Sequence, residues 1–506
     1  MKKLTIYLAI ISLAGLFAAG CTNLDETVYS ELPMDSYGTN EAEINSLIAP
    51  IYTRLRDYNA IQRLSANTSD MFVTPTRRGG DWWDGGVYKE LTQGSWRPIS
   101  SRLRSDYNTA YSRITNFNQI IYLIENSPAI PDKTPYLAQA RAARAMRYLQ
   151  LVDQWGNVPI VTDFEDLSKP STSPRADFYN FVLSELNDIK DVIRSDVSGA
   201  SYNKYTKGAV YFMLAKLYLN AEIWNPSGGP KYQECIDACD VIMGLGYSLA
   251  TDWPGQFSAA NEGSTEAILA AVNDESSSFG VRGYTLHYLD PIALGLPGSA
   301  NNGICALPGY VNSFDPDDKR LGWSFIIGPM INPATGEVLI TAHGRPLIHT
   351  VDVTMKYAID ADGWGQTEQE DGARCGKWEF KKGARRDEND FAIFRYSDVY
   401  LMKAEALVRS GQNNAEATDL VNAIRQRAFS DPAKLLTNVT LDDIYNERRW
   451  ELGWEGWERQ DMIRFGTFLN AIPDWRPNAM PEYRLLFPIP QEAIDANPNL
   501  TQNPGY

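Results

Sequence analysis

Hydrophobic residues recur with the spacing of an α-helix over much of the chain. In residues 105–126 the apolar positions follow one another at spacings of three or four, which places them on one helical face: Tyr107, Tyr111, Ile114, Phe117 and Ile121. The same periodicity predicts further helices at 41–57, 135–155, 178–194, 204–224, 232–245, 397–409 and 415–428. The sequence therefore predicts a mainly α protein.

The predicted helices group into pairs. Residues 204–224 and 232–245 form one pair, and residues 395–428 form another with Gly411 between its helices. The second pair has the length of a tetratricopeptide repeat, a unit of two packed helices. The sequence therefore predicts a scaffold of tetratricopeptide-like helical pairs.

Two segments, 60–104 and 250–391, break the helical pattern. The second is rich in Gly, Pro, Asn, Asp and Ser, with short strand-like runs at 266–272, 324–328 and 338–340. We therefore expect a large loop-rich insertion containing short strands. The predicted organisation is a helical scaffold at 41–249 with a ligand loop at 60–104, a loop-rich ligand-binding subdomain at 250–391, and helical pairs with a C-terminal strap at 392–506.

The N-terminal segment has the pattern of an export signal. Lys2 and Lys3 precede an apolar stretch at 4–17, which is too short to span a membrane, and small residues at 18–20 precede Cys21. This pattern resembles the lipobox of bacterial lipoproteins, in which the Cys carries the lipid; an ordinary signal peptide with a chance Cys is the alternative. The prediction is a signal peptide at 1–20, lipidation of Cys21 and a tether at 21–40.

Three longer motifs resemble the SusD/RagB family. They are RAMRYLQLVDQWGNVPIV at 144–161, NERRWELGWEGWERQDMIRFG at 446–466 and LLFPIPQEAIDANPNLTQNPGY at 485–506. Members of that family are glycan-binding lipoproteins on the outer surface of Gram-negative bacteria. The resemblance implies a tetratricopeptide-like scaffold, an outer-membrane location facing the cell exterior, and a SusC-like TonB-dependent transporter as partner. The alternating charges at 446–466 are typical of a structural ion network rather than of a ligand site.

Composition excludes several kinds of function. The formal net charge of −16 argues against nucleic acid or an anionic membrane surface as a direct partner. The three His residues lack the spacing of a zinc site, so we expect no catalytic metal, and no cofactor is predicted. Aromatic residues are abundant, with 13 Trp and 27 Tyr, and many lie in predicted loops.

The strongest candidate site is the run RRGGDWWDGGVYKELTQGSW at 77–96. An aromatic ring packs on the apolar face of a sugar, and a neighbouring carboxylate accepts hydrogen bonds from its hydroxyls. Trp82 or Trp83 with Asp84 supplies both groups. One of the two Trp rings is expected to be buried and the other to be exposed. Asp70, in the same predicted ligand loop, is a further candidate ligand-binding residue.

The loop-rich insertion supplies two weaker candidate sites. By resemblance to the family, Cys305 and Trp323 in the segment 302–325 are expected near the ligand. The Asp residues at 315, 317 and 318 predict either a calcium loop or a capped turn, and the EF-hand spacing is not met.

In the segment 371–380, Arg374 is a candidate for forked hydrogen bonds to sugar hydroxyls and Trp378 for stacking. The alternative for Arg374 is a structural salt bridge. A Cys305–Cys375 disulfide and free thiols both remain possible interpretations. Tyr284, His287, Tyr288 and Trp364 are candidates of lower rank.

Three functions remain in competition. The favoured one is a non-enzymatic surface lipoprotein that binds a neutral oligosaccharide and delivers it to the transporter. The alternatives are a protein-binding tetratricopeptide scaffold and a glycoside hydrolase. A hydrolase needs two carboxyl groups facing one glycosidic bond, and the acidic residues of the sequence do not single out such a pair.

Overall fold

The computed structural model describes residues 40–274 and 281–506. The predicted signal peptide, Cys21 and the tether up to residue 39 lie outside these residues. Across the two described ranges, the helices are too short or too polar to cross a membrane.

Helices dominate the structure. The first half of the chain contains α1 (Glu41–Thr53), α2 (Tyr58–Thr68), α3 (Val87–Gln93), α4 (Ser101–Asn126), α5 (Thr134–Gln154), α6 (Arg175–Ile189), α7 (Lys207–Leu219), α8 (Ala221–Trp224) and α9 (Tyr232–Met243). The loop-rich segment contains the short helices α10 (Val281–Thr285), α11 (Asp290–Leu294), α12 (Pro308–Val311) and α13 (Lys319–Ser324). The C-terminal part contains α14 (Tyr396–Arg409), α15 (Asn414–Ala428), α16 (Leu441–Leu452), α17 (Glu458–Arg464) and α18 (Gln491–Ala496).

The long helices pack on one another in pairs, which confirms the predicted scaffold of helical pairs. Helix α4 packs on α5, α5 packs on α6, and α7 packs on α9. Helix α14 joins the two halves of the scaffold, because it packs on α9, on α15 and on α16. Its packed residues include Leu401, Met402 and Ala404, none of which is exposed.

Most of helix α2 and all of α3 lie in the segment 60–104, which the sequence predicts to break the helical pattern. Helix α2 shows why the sequence missed it. Many of its buried residues are polar, including Gln62, Ser65 and Asn67, so they gave no apolar stripe. They are buried because α2 lies against the turn between α16 and α17. At that turn Gly456 has a φ of +94°, and a Cβ there would lie 3.0 Å from the Cα of Gln62. A residue with a side chain would therefore force the two elements apart.

The strands are short and form antiparallel pairs. They are β1 (Phe72–Val73), β2 (Ala267–Ala271), β3 (Cys305–Ala306), β4 (Phe325–Ile326), β5 (Gly328–Pro329), β6 (Ile348–His349), β7 (Arg374–Cys375) and β8 (Phe391–Arg395). The pairs are β1 with β3, β2 with β8, β4 with β7 and β5 with β6. The strand predicted at 266–272 is confirmed as β2. The run 338–340 makes only isolated bridges, such as Ile340 with Pro346.

One continuous hydrophobic cluster extends through the scaffold and into the loop-rich segment. Its buried members run from Ile44 to Ile489 and include Phe325 and Trp378. A smaller cluster beside it contains Val73, Cys305 and Trp364. The loop-rich segment is therefore built onto the helical scaffold through apolar contacts, and the division at residues 250 and 391 stays a prediction.

A buried ion network, which we call the Glu451 network, lies where the scaffold meets the loop-rich segment. The Glu451 carboxylate receives Arg395 at 2.6 Å, Arg427 at 2.8 Å and Arg320 at 3.0 Å. The Trp253 indole N–H also donates to it, at 3.0 Å. The network continues to further charged residues, among them Glu266, Lys377, Glu447 and Glu455. This confirms the interpretation of the alternating charges as structural.

Replacing Glu451 with Gln tests this network. Removal of one partner from a buried ion cluster leaves the other charges uncompensated, so we expect a loss of about 3–5 kcal/mol in the free energy of unfolding, measured by urea denaturation. The matched control is Asp317→Asn, because Asp317 pairs with Lys434 but its side chain is 70% exposed. That change should cost less than about 1 kcal/mol.

The loss of stability in Glu451→Gln should also depend on pH. Burial opposes the ionised form of Glu451, but Arg427, Arg395 and Arg320 outweigh it and hold its pKa far below the ordinary 4.5. A depressed folded-state pKa stabilises the protein above pH 4.5, and this contribution is lost as the pH falls toward the folded-state pKa. The difference between wild type and Glu451→Gln should therefore shrink in acid, and a difference independent of pH would contradict this account.

Candidate functional site

The Trp82–Trp83 segment forms a compact turn on the surface. The Arg77 N–H donates to the Asp81 carbonyl at 2.8 Å, and the Gly86 N–H donates to the Trp83 carbonyl at 2.6 Å. The four flanking glycines all have positive φ angles, which glycine adopts without strain: Gly79, Gly80, Gly85 and Gly86. The glycines that marked this segment in the sequence therefore form the turn that presents the Trp pair.

Arg77 ties this turn to the loop-rich segment. Its guanidinium is fully buried and donates to the backbone carbonyls of Asn302 at 3.1 Å, Gly303 at 2.9 Å and Asp371 at 2.7 Å. Backbone carbonyls are fixed by the chain, so a buried arginine that bonds three of them holds separate loops in one arrangement. The position of the Trp pair thus depends on the fold of residues 302–371.

Trp82 is the inner member of the pair. Its ring lies edge-on between Tyr88 and Tyr284, with centroid distances of 5.4 Å to each. Its indole N–H donates to the Asn301 carbonyl at 2.5 Å. The ring is half-buried and fills the space beneath the turn.

Trp83 is the outer member, with 44% of its surface exposed. It lines a surface cleft of about 670 Å³ together with Lys89, Gln93 and Asn478. It also lines a second cleft of about 370 Å³ together with Trp364 and Gln366. Both volumes fall in the range of about 300–1,000 Å³ that is typical of small-molecule sites. Asp84 is exposed on the same turn but lines neither cleft.

Most charges around the clefts are paired with one another, whereas Arg476 in the larger cleft is buried and donates to the backbone carbonyls of Asn470 and Phe468. Lys89 contacts Asp360 at 2.5 Å and Asp362 at 2.9 Å, and Arg97 contacts Glu90 at 3.1 Å. Burial opposes the ionised form of Asp360, but the hydrogen bond from Lys89 and the N–H groups of Trp364 and Asp362 leave its pKa below the ordinary value. The cleft walls therefore combine an exposed ring, amide side chains and locally neutralised charges.

A separate cavity lies inside the helical scaffold. It is lined by Ser65, Asp153 and Arg459, and its volume is about 40 Å³. That space is sufficient for water but not for a sugar ring. We therefore place the candidate site at the Trp83 clefts.

Three predicted site residues are buried and do not join Trp83. Cys305 is fully buried in the small hydrophobic cluster, and Trp378 is 4% exposed and stacked on Phe391 with a centroid distance of 5.2 Å. Arg374 is also fully buried, and it donates to the Gln369 carbonyl at 2.8 Å. Burial and the neighbouring Arg77 lower the pKa of Arg374 to about 9. All three are removed from the candidate site, because a ligand at the surface does not reach them.

Two further predicted residues have structural partners away from the clefts. Trp323 is half-buried and stacks on Trp253, with a centroid distance of 5.5 Å and an interplanar angle of 20°. Asp70 pairs with Arg449 at 2.9 Å. The structure therefore brings neither of them together with Trp83.

The acidic run at 315–318 forms the capped turn that was one of its two interpretations. Asp318 accepts from the Arg320 N–H at 2.9 Å at the start of α13, and its carboxylate pairs with the Arg320 guanidinium at 2.8 Å. Asp315 pairs with Lys434 at 2.7 Å. In the described residues no group of three or more His, Cys, Asp or Glu is arranged to hold a metal ion.

The structure resolves the question of the cysteines in favour of free thiols. Cys305 and Cys375 are both buried and unbridged, as are Cys235 and Cys239. Cys305 belongs to the small hydrophobic cluster, whereas Cys375 belongs to the main one. Burial raises the pKa of Cys375 to about 12, so its thiol is protonated and unreactive at neutral pH.

Several residues of the clefts gave no usable signal in the sequence. Gln366 and Asp360 come from a turn in the loop-rich segment, and Asn478 comes from the loop that follows α17. Polar residues of this kind are common in surface loops, so only the fold shows that they lie beside Trp83. Among the candidates of lower rank, Tyr288 is 37% exposed and donates to Asp81 at 2.6 Å.

Two family models match different parts of the chain. A model described as "SusD family" matches residues 354–506, and one described as "Starch-binding associating with outer membrane" matches residues 23–219. The curated "Starch-binding protein SusD" of Bacteroides thetaiotaomicron is 25% identical over 465 residues, which is 84% of this chain and 82% of the relative. The chain belongs to the SusD/RagB family.

Other relatives align with most of the length of this chain. A SusD-like protein of Bacteroides ovatus is 24% identical over 92% of the chain and 83% of the relative. The structure of surface glycan-binding protein A from B. thetaiotaomicron, in complex with laminarihexaose, aligns with a TM-score of 0.71 at 21% identity. That alignment covers 92% of this chain and 99% of the other.

A SusD superfamily protein from Parabacteroides distasonis aligns similarly, with a TM-score of 0.72 at 20% identity over 92% of this chain and 99% of the other. Similarity at this level of identity establishes the fold. This SusD-family protein therefore has the tetratricopeptide-like fold that its motifs predicted.

The two Trp side chains should differ in what they contribute to stability. Trp82→Ala removes a half-buried ring and its hydrogen bond to Asn301, so we expect a loss of about 2–3 kcal/mol in the free energy of unfolding. Trp83→Ala should change it by less than about 0.5 kcal/mol, because its ring is exposed. Thermal and urea denaturation measure both. Equal losses for the two variants would show that Trp83 is a packing residue rather than a ligand platform.

Proposed function

We propose that this protein binds a neutral oligosaccharide at Trp83 without altering it. The observation that carries the proposal is the exposed Trp83 ring in the wall of two clefts. An exposed indole is costly to leave in water and packs well on the C–H face of a sugar. The amide groups of Gln93, Gln366 and Asn478 in the same walls suit sugar hydroxyls, because each amide both donates and accepts hydrogen bonds.

A neutral ligand fits the electrostatics of the clefts. Lys89 is neutralised by Asp360 and Asp362, and Arg97 is neutralised by Glu90. An anionic sugar would have to compete with these carboxylates for the same cations. The relatives named for starch and the complex with laminarihexaose give glucans as the first neutral chains to examine.

The same groups argue against glycoside hydrolysis at this site. A glycosidase needs a carboxylic acid whose pKa is raised so that it can protonate the leaving oxygen. Asp360 has its pKa shifted in the opposite direction, and Asp362 and Glu90 are held in ion pairs. We therefore propose a binding protein rather than an enzyme.

The cellular role completes the proposal. Lipidation at Cys21 would anchor the chain to the outer membrane, facing the cell exterior, and the bound oligosaccharide would pass to a SusC-like TonB-dependent transporter. The family model that matches residues 23–219 has a description that names association with the outer membrane, which supports this placement. The tetratricopeptide-like scaffold offers a rigid body from which the Trp83 turn projects.

Trp83→Ala is the direct test of the binding site. The mature protein is first screened by affinity electrophoresis against starch, laminarin, xylan, mannan and fructan. For the polysaccharide that binds, isothermal calorimetry should show that Trp83→Ala loses about 2 kcal/mol of binding free energy, or roughly 30-fold in Kd, because the stacking ring is removed.

Trp323→Ala is the matched control, because it also removes one partly exposed indole but lies outside both clefts. Its folded fraction should keep the wild-type affinity. Unchanged affinity in Trp83→Ala would contradict the proposed function, and a loss in Trp323→Ala instead would place the ligand at the segment 302–325.

A further inference from the structure

The two clefts beside Trp83 meet at the same side chain. The larger cleft is bounded by residues of α3, by residues 361–362 and by residues 476–478, whereas the smaller one is bounded mainly by other residues of the segment 358–366. Trp83 contributes to both linings. A ring stacked on Trp83 therefore lies next to both clefts.

A small ion group fixes the junction of the clefts. Lys89 and Asp362 line the larger cleft, and Asp360 lines the smaller one. Because Lys89 bonds both carboxylates, at 2.5 Å and 2.9 Å, it ties α3 to the segment that carries the smaller cleft. The two clefts are thereby held as neighbouring parts of one surface.

Each cleft presents amide groups with unused hydrogen-bonding capacity. In the larger cleft, the side chains of Gln93 and Asn478 make no hydrogen bond to any part of the described chain. In the smaller cleft, Gln366 accepts from the Gly79 N–H at 3.3 Å through its Oε1, which leaves its NH2 group as a donor. Hydroxyls on both sides of a stacked ring would thus meet amide groups.

From this arrangement we infer that the site recognises the interior of a linear glycan rather than its end. One ring stacks on Trp83, and the sugars on either side of it occupy the two clefts. This inference rests on the proposed function and adds to it the length and the part of the chain that is recognised. Since each cleft has the volume of a drug-sized site, the groove takes roughly four or more sugar rings in all.

A chain-length series tests the inference. The probes are malto-oligosaccharides and laminari-oligosaccharides from disaccharide to hexasaccharide, together with size-fractionated hydrolysates of any other polysaccharide that the panel identifies. Calorimetry should show a Kd that falls stepwise, with the hexasaccharide binding at least tenfold more tightly than the disaccharide. Oligosaccharides whose reducing end is coupled to a bulky fluorophore should still bind when long.

Variants in each cleft supply the second arm of the test. Asn478→Ala in the larger cleft and Gln366→Ala in the smaller one should each weaken hexasaccharide binding by roughly fivefold, the effect of one lost hydrogen bond. For the disaccharide, which fills Trp83 and only one cleft, at most one of the two variants should have an effect. Thermal melting checks that both variants remain folded.

The outcomes separate this inference from the proposed function. If Trp83→Ala abolishes binding but trisaccharide and hexasaccharide bind equally well, the site is compact and the inference is wrong while the function stands. If both cleft variants bind hexasaccharide like the wild type, the inference is also wrong. If Trp83→Ala leaves hexasaccharide binding unchanged, or if no glycan binds, the proposed function itself fails.

Discussion

The Glu451 network is the interaction on which the rest of the structure depends. Three arginines meet this carboxylate, and they come from different parts of the chain: Arg320 from α13, Arg395 from the end of β8 and Arg427 from α15. Buried charges of this kind are costly unless every partner is in place. The C-terminal helices and the loop-rich segment are therefore correctly assembled only together. This explains why a segment with so little secondary structure has a defined position on the scaffold.

The ligand site also depends on the assembly of the loop-rich segment, because Arg77 connects the two. Its fully buried guanidinium bonds the carbonyls of Asn302, Gly303 and Asp371, and the turn that begins at Arg77 presents Trp83. A binding residue is most effective when its surroundings are fixed before the ligand arrives. The scaffold, the ion network and the Arg77 anchor together supply that preorganisation, while the Trp83 ring itself is exposed.

The sequence predicted the scaffold better than the site. Apolar spacing placed helices at 397–409 and 415–428, within one residue of α14 and α15, because those helices bury a regular apolar face. The glycines around the Trp pair predicted an exposed turn, and Trp83 is exposed. Arg374 and Trp378 also lie in a Gly- and Asp-containing loop, yet tertiary contacts bury them completely or nearly so. The opposite cleft walls come from distant loops, which no local pattern connects to Trp83.

The central claim is that a rigid scaffold holds the ligand-binding site at Trp83. Its most direct test is hydrogen–deuterium exchange of the mature protein with and without a bound hexasaccharide. Slower exchange on binding should be confined to three segments that line the clefts, 76–97, 358–366 and 476–478. The helical pairs and the Glu451 network should exchange at the same rate in both states, because their arrangement precedes binding. Protection centred on 302–325 or 371–380, or spread through the scaffold helices, would contradict the account.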